Sequence, residues 1–338
     1  MLSIILPVLT SVAPVFAFLG LLNLFDSYEL MKFRSIALAI FYGSAIAFLA
    51  GGINYWMMGE FHNDTSSYIH YAAPAVEEFL KAAFIFYVIY RGKAGFMIDS
   101  AIYGFSVGAG FAFIENLYYI NTVVDPHPTI WIIRGFGTAI MHGGTSAIFG
   151  IIFKVYSNRE VGNTLTQALP GFLIAVFIHW IYNQILFTPL VNTLGVLIVL
   201  PLVFSFIFIR GEKSLQRWLG TGFDSDMEML SLLNEGKVSE SKAGEYLISI
   251  RSKFPPLVVL DMIMLLKIHL ELSIRAKAVL MSREAGIAVK PTDEIREKFV
   301  ELNQLEKNIG QTGLLTISPF LHTSKRDLWE LHMLDSMQ

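Results

Sequence analysis

The chain contains no cysteine and has few charged residues. Among its 338 residues, the absence of cysteine excludes disulfides, cysteine-ligated zinc and thiol catalysis. Charged residues make up 16% of the sequence, against roughly 25% in a soluble domain. The net charge is −3 and no basic block occurs, so no nucleic-acid partner is predicted. The N-terminal MLSIILPVLT lacks a basic region, so a cleaved signal peptide is not expected.

Long apolar runs take the place of those missing charges. Hydrophobic residues make up 54% of the chain and the mean hydropathy is +0.54. Each run is near the ~20 residues that a bilayer core requires. The sequence therefore predicts an all-α polytopic membrane bundle of about seven spans, at 4–25, 35–58, 67–90, 95–120, 129–153, 166–187 and 189–209.

Basic residues occur in alternate loops only, and this predicts the orientation. The loops around EFHNDTSS, VVDPHPT and FTPLVNT hold no Lys or Arg. Positive loops remain cytoplasmic. We therefore expect the N-terminus outside and the C-terminus in the cytoplasm, with these residues on the inner side: Lys32, Arg34, Arg91, Lys93, Lys154, Arg159, Arg210, Lys213 and Arg217.

The composition changes after Arg210, where most of the charged residues lie. An apolar stretch near 256–281 is interrupted by Asp261 and Lys267, which favours a buried soluble helix over an eighth span. We therefore predict a transmembrane domain at 1–210, with its functional core at 67–187, and a small helical cytoplasmic domain at 211–338. The second domain has no recognisable catalytic motif, and we expect it to regulate access or to bind a cytoplasmic partner.

Ionisable side chains within the third to sixth spans predict a functional site. Each costs roughly 2.5–3.5 kcal/mol to place at the middle of a spanning helix. Four neighbouring helices that all carry such groups indicate a shared polar chamber. The polar residues are Glu77, Glu78, Lys81, Asp99, Glu115, Arg134, His142, His179 and Asn183. Asp99 is expected near the inner surface, capped or solvated, and Arg134 either extends outward or pairs with Glu115.

Spacing indicates which of these groups share a face. Lys81 lies one helical turn from both Glu77 and Glu78, so it can neutralise one of them. Two adjacent carboxylates do not readily both ionise at low dielectric, which suits a general acid or base. His179 and Asn183 in HWIYN are four residues apart and also share a face.

Small residues predict close helix packing beside the site. In YGFSVGAGFAFIEN, Gly104, Gly108 and Ala112 form a stripe that leads to Glu115. His142 begins HGGTSAIFG, which is also rich in small residues. Carboxylates, imidazoles and an amide together fit hydrolysis, because they can activate water, bind zinc or stabilise an oxyanion.

The order of these motifs resembles the PrsW family of intramembrane proteases, which is distantly similar to the CAAX prenyl proteases. The resemblance covers about residues 70–187 and not the tail. It rests on EExxK at Glu77, Glu78 and Lys81, on Phe111 four residues before Glu115, on one His in the next span, and on HxxxN at His179. The CAAX prenyl proteases have His where Glu115 stands.

The resemblance implies an intramembrane endopeptidase in a bacterial cell membrane, cutting membrane-anchored proteins such as anti-sigma factors. Its implied catalytic residues are Glu77, Glu78, Glu115, His142, His179 and Asn183. Glu77 or Glu78 would be the water-activating base. Glu115, His142 and His179 would either ligate a metal, zinc being the candidate, or polarise water without one.

Two other classes of function remain open at the level of sequence. Glu and His within spans also make proton relays in ion-coupled transporters, although no inverted repeat is visible. A non-catalytic membrane scaffold is the third interpretation. Changing Glu77 or Glu78 to Gln distinguishes the three classes of function, because a protease loses cleavage, a transporter loses flux and a scaffold is unaffected.

Overall fold

A computed structural model describes residues 2–24, 26, 31–60, 65–123, 127–158, 163–184, 188–285, 287, 293–321, 329 and 333–334. Over these residues the chain is helical and has no strand. The helices are α1 (Leu2–Leu24), α2 (Phe33–Glu60), α3 (Thr65–Ser67), α4 (Ala73–Tyr90), α5 (Met97–Thr122), α6 (Thr129–Ile132), α7 (Ile140–Ser157), α8 (Thr164–Asn183), α9 (Pro189–Asn234), α10 (Lys242–Ile250), α11 (Pro256–Glu284) and α12 (Asp293–Ile317). Two π-helical segments, Tyr68–Ala72 and Ile133–Ala139, directly precede α4 and α7.

Six of the described helices are long and apolar enough to cross a membrane. They correspond to six of the seven predicted spans. The exception is the third, predicted at 67–90. Its regular helix α4 has only 18 residues, and Glu77, Glu78 and Lys81 make it too polar. The predicted span that is set apart by its charged residues is therefore the one that carries the paired glutamates.

The chain divides into two compact units, Met1–Gly211 and Glu212–Gln338. In the second unit α11 is not among the described helices that are long and apolar enough to span a membrane, in line with the prediction against an eighth span there. Its core includes Met262, Leu266 and Leu280. The buried Lys277 ammonium donates to Asp226 Oδ2 at 2.6 Å, so this unit encloses one charged pair.

Helix α5 is at the centre of the first unit. It packs against α1, α2 and α7, and it is buried along most of its length. The predicted small-residue stripe faces α7: a Cβ added at Gly104 would overlap the backbone of Ser146, and one at Gly108 would overlap the backbone of His142. The glycines therefore bring the backbone that carries His142 directly against α5.

The opposite end of α5 encloses a second group of charges. Asp99 is buried and accepts hydrogen bonds from the backbone N–H groups of Gly95 (2.5 Å) and Phe96 (2.7 Å). The expectation of a helix cap is confirmed, whereas that of a solvated carboxylate is wrong. Lys154, expected in a loop, is fully buried within α7, because that helix continues to Ser157. Arg159, also assigned to that loop, lies outside the described residues.

We expect Gly108→Ala to lower the free energy of unfolding in detergent by about 1–3 kcal/mol, because the added methyl overlaps backbone that cannot retreat. Gly52→Ala is the matched control, since nothing lies within 4 Å of a Cβ at that position in α2. Thermal unfolding of the three proteins measures the difference. Equal stability of the Gly108 and Gly52 variants would contradict the close packing of α5 on α7.

Candidate functional site

Four helices of the first unit bring five of the six predicted site residues together. Glu77 and Glu78 come from α4, Glu115 from α5, His142 from α7 and His179 from α8. Each residue contacts at least one other through a side-chain nitrogen or oxygen. The predicted shared polar chamber is therefore present in the structure.

Glu78 is the most enclosed of the three carboxylates, with 2% of its side chain exposed. Its Oε1 atom accepts hydrogen bonds from Lys81 Nζ at 2.5 Å, His179 Nδ1 at 2.8 Å and Thr145 Oγ1 at 3.1 Å. These donors come from three different helices. Glu78 is therefore charge-paired and fixed, which suits holding His179 in place better than exchanging protons.

Glu77 has a different environment although it is the neighbouring residue. Its side chain is 16% exposed, and its Oε2 atom lies 3.9 Å from His179 Nε2. Its Oε1 atom accepts a hydrogen bond from Asn54 Nδ2 at 3.0 Å. The partner is neutral, so this carboxylate is oriented without being paired to a cation. Lys81 thus pairs with Glu78, which resolves the choice that helical spacing left open.

Glu115 holds the second histidine. His142 Nε2 lies 2.9 Å from Glu115 Oε2, and Arg134 NH2 lies 3.2 Å from Glu115 Oε1. Arg134 Nε also donates to Asn116 Oδ1 at 2.8 Å, and its guanidinium lies 3.7 Å from the centre of the Tyr119 ring. Of the two expectations for Arg134, pairing with Glu115 is the one confirmed.

The hydrogen bonds define the tautomers of both histidines. An ionised carboxylate only accepts, so His179 carries a proton on Nδ1 toward Glu78. In the neutral ring the lone pair is then on Nε2, which faces Glu77. The Lys81 ammonium only donates, so His142 accepts at Nδ1 (3.2 Å) and carries its proton on Nε2 toward Glu115. The two rings are perpendicular, with centres 4.9 Å apart.

One group of site residues could hold a metal ion. Ligand atoms of Glu77, His142 and His179 all lie within 4.8 Å of one another. Two imidazoles and a carboxylate form a common catalytic zinc set. Of the three carboxylates here, Glu78 pairs with Lys81 and Glu115 with Arg134, which leaves Glu77 without a Lys or Arg partner to compete with a metal ion. The group contains both histidines predicted as ligands, with Glu77 in the place expected for Glu115.

Asn183 is the predicted site residue that the structure does not bring into this network. It ends α8 and is partly buried. Within the described part of the chain, its amide has no hydrogen bond to the glutamates or histidines. Its predicted role as an oxyanion donor remains a prediction.

The structure adds three site residues that the sequence reading missed. Thr145 binds Glu78, Asn54 binds Glu77, and the Tyr68 hydroxyl donates to Asn54 Oδ1 at 2.8 Å. Thr145 lies one helical turn after His142, so spacing could have suggested it. Asn54 and Tyr68 lie on other segments, and no spacing rule links them to α4.

Comparisons with known proteins find one matching family and two similar proteins. Residues 31–209, more than half of the chain, match the PrsW-protease family, described as PrsW family intramembrane metalloproteases. Protease PrsW of Oceanobacillus iheyensis is 30% identical over 184 residues, which are 52% of this chain and 80% of that protein. Protease PrsW of Geobacillus kaustophilus is 24% identical over 184 residues, 52% and 77% of the two chains. No solved structure matches the chain.

We expect Lys81→Met to lower the free energy of unfolding by about 3–5 kcal/mol, because it leaves the Glu78 carboxylate buried without its cation. The double variant Glu78→Gln/Lys81→Met is expected to recover part of that loss, since both charges are gone. Unfolding of the wild type, both single variants and the double variant measures the coupling.

Lys237→Met is the matched control, because Lys237 and Glu235 form an ion pair that is about half exposed. Exposed pairs contribute little to stability, so this variant should unfold like the wild type. Additive effects of the two substitutions at Glu78 and Lys81 would contradict a direct buried ion pair.

Proposed function

We propose that this chain, which belongs to the PrsW family of intramembrane metalloproteases, hydrolyses a peptide bond with a water molecule held between Glu77 and His179. Membership of the family makes the chain an integral membrane protease. Its substrate is therefore a membrane protein, and its surroundings are the lipid bilayer.

The observation that carries this mechanism is the unequal environment of the paired glutamates. Glu78 is fully enclosed and bonded to three donors, including an ammonium group. Glu77 is more exposed, has only a neutral donor and directs Oε2 toward His179 Nε2. Of the two glutamates, Glu77 is therefore the better base, and Glu78 is the residue that positions His179.

The steps follow from these positions. Glu77 takes a proton from the water while the oxygen of that water attacks the carbonyl carbon of the substrate. Glu77 then returns the proton to the nitrogen that leaves when the C–N bond breaks. Glu78 and Glu115 hold the rings of His179 and His142 in their tautomers throughout, as carboxylates behind histidines do in hydrolytic sites.

A metal ion, with zinc as the candidate, would be held by Glu77, His142 and His179. With the ion bound, Glu77 would be a ligand rather than a free base. The ion would lower the pKa of the attacking water and polarise the substrate carbonyl. His142 would have to give up either the hydrogen bond that Nδ1 accepts from Lys81 or the contact of Nε2 with Glu115 in order to bind the metal. The description of the family as metalloproteases supports this assignment.

We also propose that the substrate is a membrane-anchored regulator of the anti-sigma-factor type in a bacterial cell membrane. The resemblance in the motifs supports this, as do the two bacterial relatives named as proteases. The distribution of basic loops supports an N-terminus outside, and the second unit would then be available to a cytoplasmic partner. A cell that lacks the protease should accumulate the uncut regulator. If the amount of cleaved regulator is the same with and without the protease, the substrate assignment is contradicted.

We expect Glu77→Gln to reduce cleavage by about 10²–10⁴-fold, because the base is lost while size and packing are kept. Glu60→Gln, at an exposed position at the end of α2, is the control and should cleave like the wild type. Cleavage of a reconstituted membrane-protein substrate, with a melting curve for each variant, measures this. A folded Glu77→Gln variant with full activity would contradict the mechanism.

Purified protein is expected to contain about one zinc per chain, in line with a three-ligand catalytic site, and His179→Ala should lose it. Elemental analysis of both proteins measures the metal directly. Removal of the metal by a chelator should abolish cleavage, and zinc should restore it. Full cleavage by metal-free protein would show that Glu77 and the histidines act on water unaided.

A further inference from the structure

We propose that Asn54 and Tyr68 form a positioning relay that sets the orientation of the Glu77 carboxylate. The inference rests on the proposed function, in which Glu77 Oε2 contacts the reacting water. It assigns a role to α2 and to the π-helical segment Tyr68–Ala72, neither of which supplies a residue of the recognised motifs.

The relay is a chain of two hydrogen bonds through three segments. Tyr68 Oη donates to Asn54 Oδ1 at 2.8 Å, and Asn54 Nδ2 donates to Glu77 Oε1 at 3.0 Å. The carboxylate can only accept, so the amide nitrogen must face Glu77 and the amide oxygen must face Tyr68. Tyr68 is 3% exposed, so its hydroxyl is held within the protein rather than in solvent.

The relay holds one oxygen of Glu77 and leaves the other for chemistry. With Oε1 bound to Asn54, the carboxylate turns Oε2 toward His179 Nε2. A base must keep such an orientation, because small displacements of a reacting group cost large factors in rate. A neutral amide donor achieves this without neutralising Glu77, in contrast to the Lys81 ammonium that binds Glu78.

The π-helical segment places the tyrosine at the start of the relay. Tyr68 is the first residue of that segment, and α4 continues from it without a break. The carbonyl oxygen of His70, within the same segment, accepts a hydrogen bond from the Gln184 side chain at 3.2 Å. The end of α8 therefore supports the irregular turn that directs Tyr68 toward Asn54. Single-turn π-helices often occur at functional sites.

The first test compares variants of Asn54 that keep or remove its donor. Asn54→Asp is nearly isosteric but has no N–H group, whereas Asn54→Gln keeps one. We expect Asn54→Asp to lower kcat by about 10–100-fold with little change in KM, as losses of supporting hydrogen bonds do. Asn54→Gln should recover most of kcat, and Tyr68→Phe should give a smaller loss. Tyr55→Phe, on a tyrosine that is 80% exposed, is the control.

A fluorescein-labelled membrane protein in detergent micelles is the substrate for these assays, with Glu77→Gln measured alongside. If Glu77→Gln is inactive and Asn54→Asp has the kcat of the wild type, the relay is overturned and the proposed function stands. If Glu77→Gln keeps full activity, the proposed function fails. Equal losses of kcat in Asn54→Asp and Asn54→Gln would indicate packing and would also overturn the relay.

A second test needs no substrate. Asn54→Asp places two carboxylates against each other and should lower the melting temperature. The exchange Asn54→Asp/Glu77→Gln restores one amide donor facing one carboxylate, so it should recover the melting temperature while remaining inactive. Recovery supports the hydrogen bond between these two side chains. A double variant whose destabilisation is the sum of the single effects overturns it.

Discussion

The structure of the site depends on the need to satisfy one buried carboxylate. Glu78 is almost completely enclosed, and an ionised group in such surroundings is strongly unfavourable unless it is paired and hydrogen-bonded. Three donors, from α4, α7 and α8, meet at a single oxygen of this residue. The requirement to solvate Glu78 from within the protein thus joins the helices that carry His142 and His179. Glu77, one position earlier, is left with a neutral partner and can react.

Close packing provides the other half of the arrangement. Gly108 allows α5 to contact the backbone of His142, and Glu115, two turns later on α5, then reaches the ring of the same histidine. Each histidine has a carboxylate behind it, but the two carboxylates have different cations: Lys81 for Glu78 and Arg134 for Glu115. The site is therefore built from two similar carboxylate–histidine units with a third carboxylate, Glu77, facing them.

The sequence predicted the parts of this arrangement that depend on local spacing. The helical class, six of seven spans, the small-residue stripe and the meeting of Glu77, Glu78, Glu115, His142 and His179 all followed from apolar length, periodicity and charges within spans. Contacts between distant segments did not follow, because nothing in the spacing connects Asn54 with Tyr68 or with α4. The same limit explains why Glu115 was expected among the metal ligands and Glu77 was not. To decide which carboxylate is available as a metal ligand, one must know which carboxylate pairs with Arg134. That pairing depends on how α5 and the segment before α7 are rotated.

The ion pair between Glu78 and Lys81 also bears on how the protein is made. Lys81 is three residues from Glu78, whereas Thr145 and His179 follow it by 67 and 101 residues. At about 5–20 residues per second, the last of these partners leaves the ribosome on the order of 5–20 s after Glu78. Of the three donors, only the one within α4 is present while the rest of the site has not yet been synthesised. Lys81 can therefore supply the counter-charge of Glu78 before the other two donors exist.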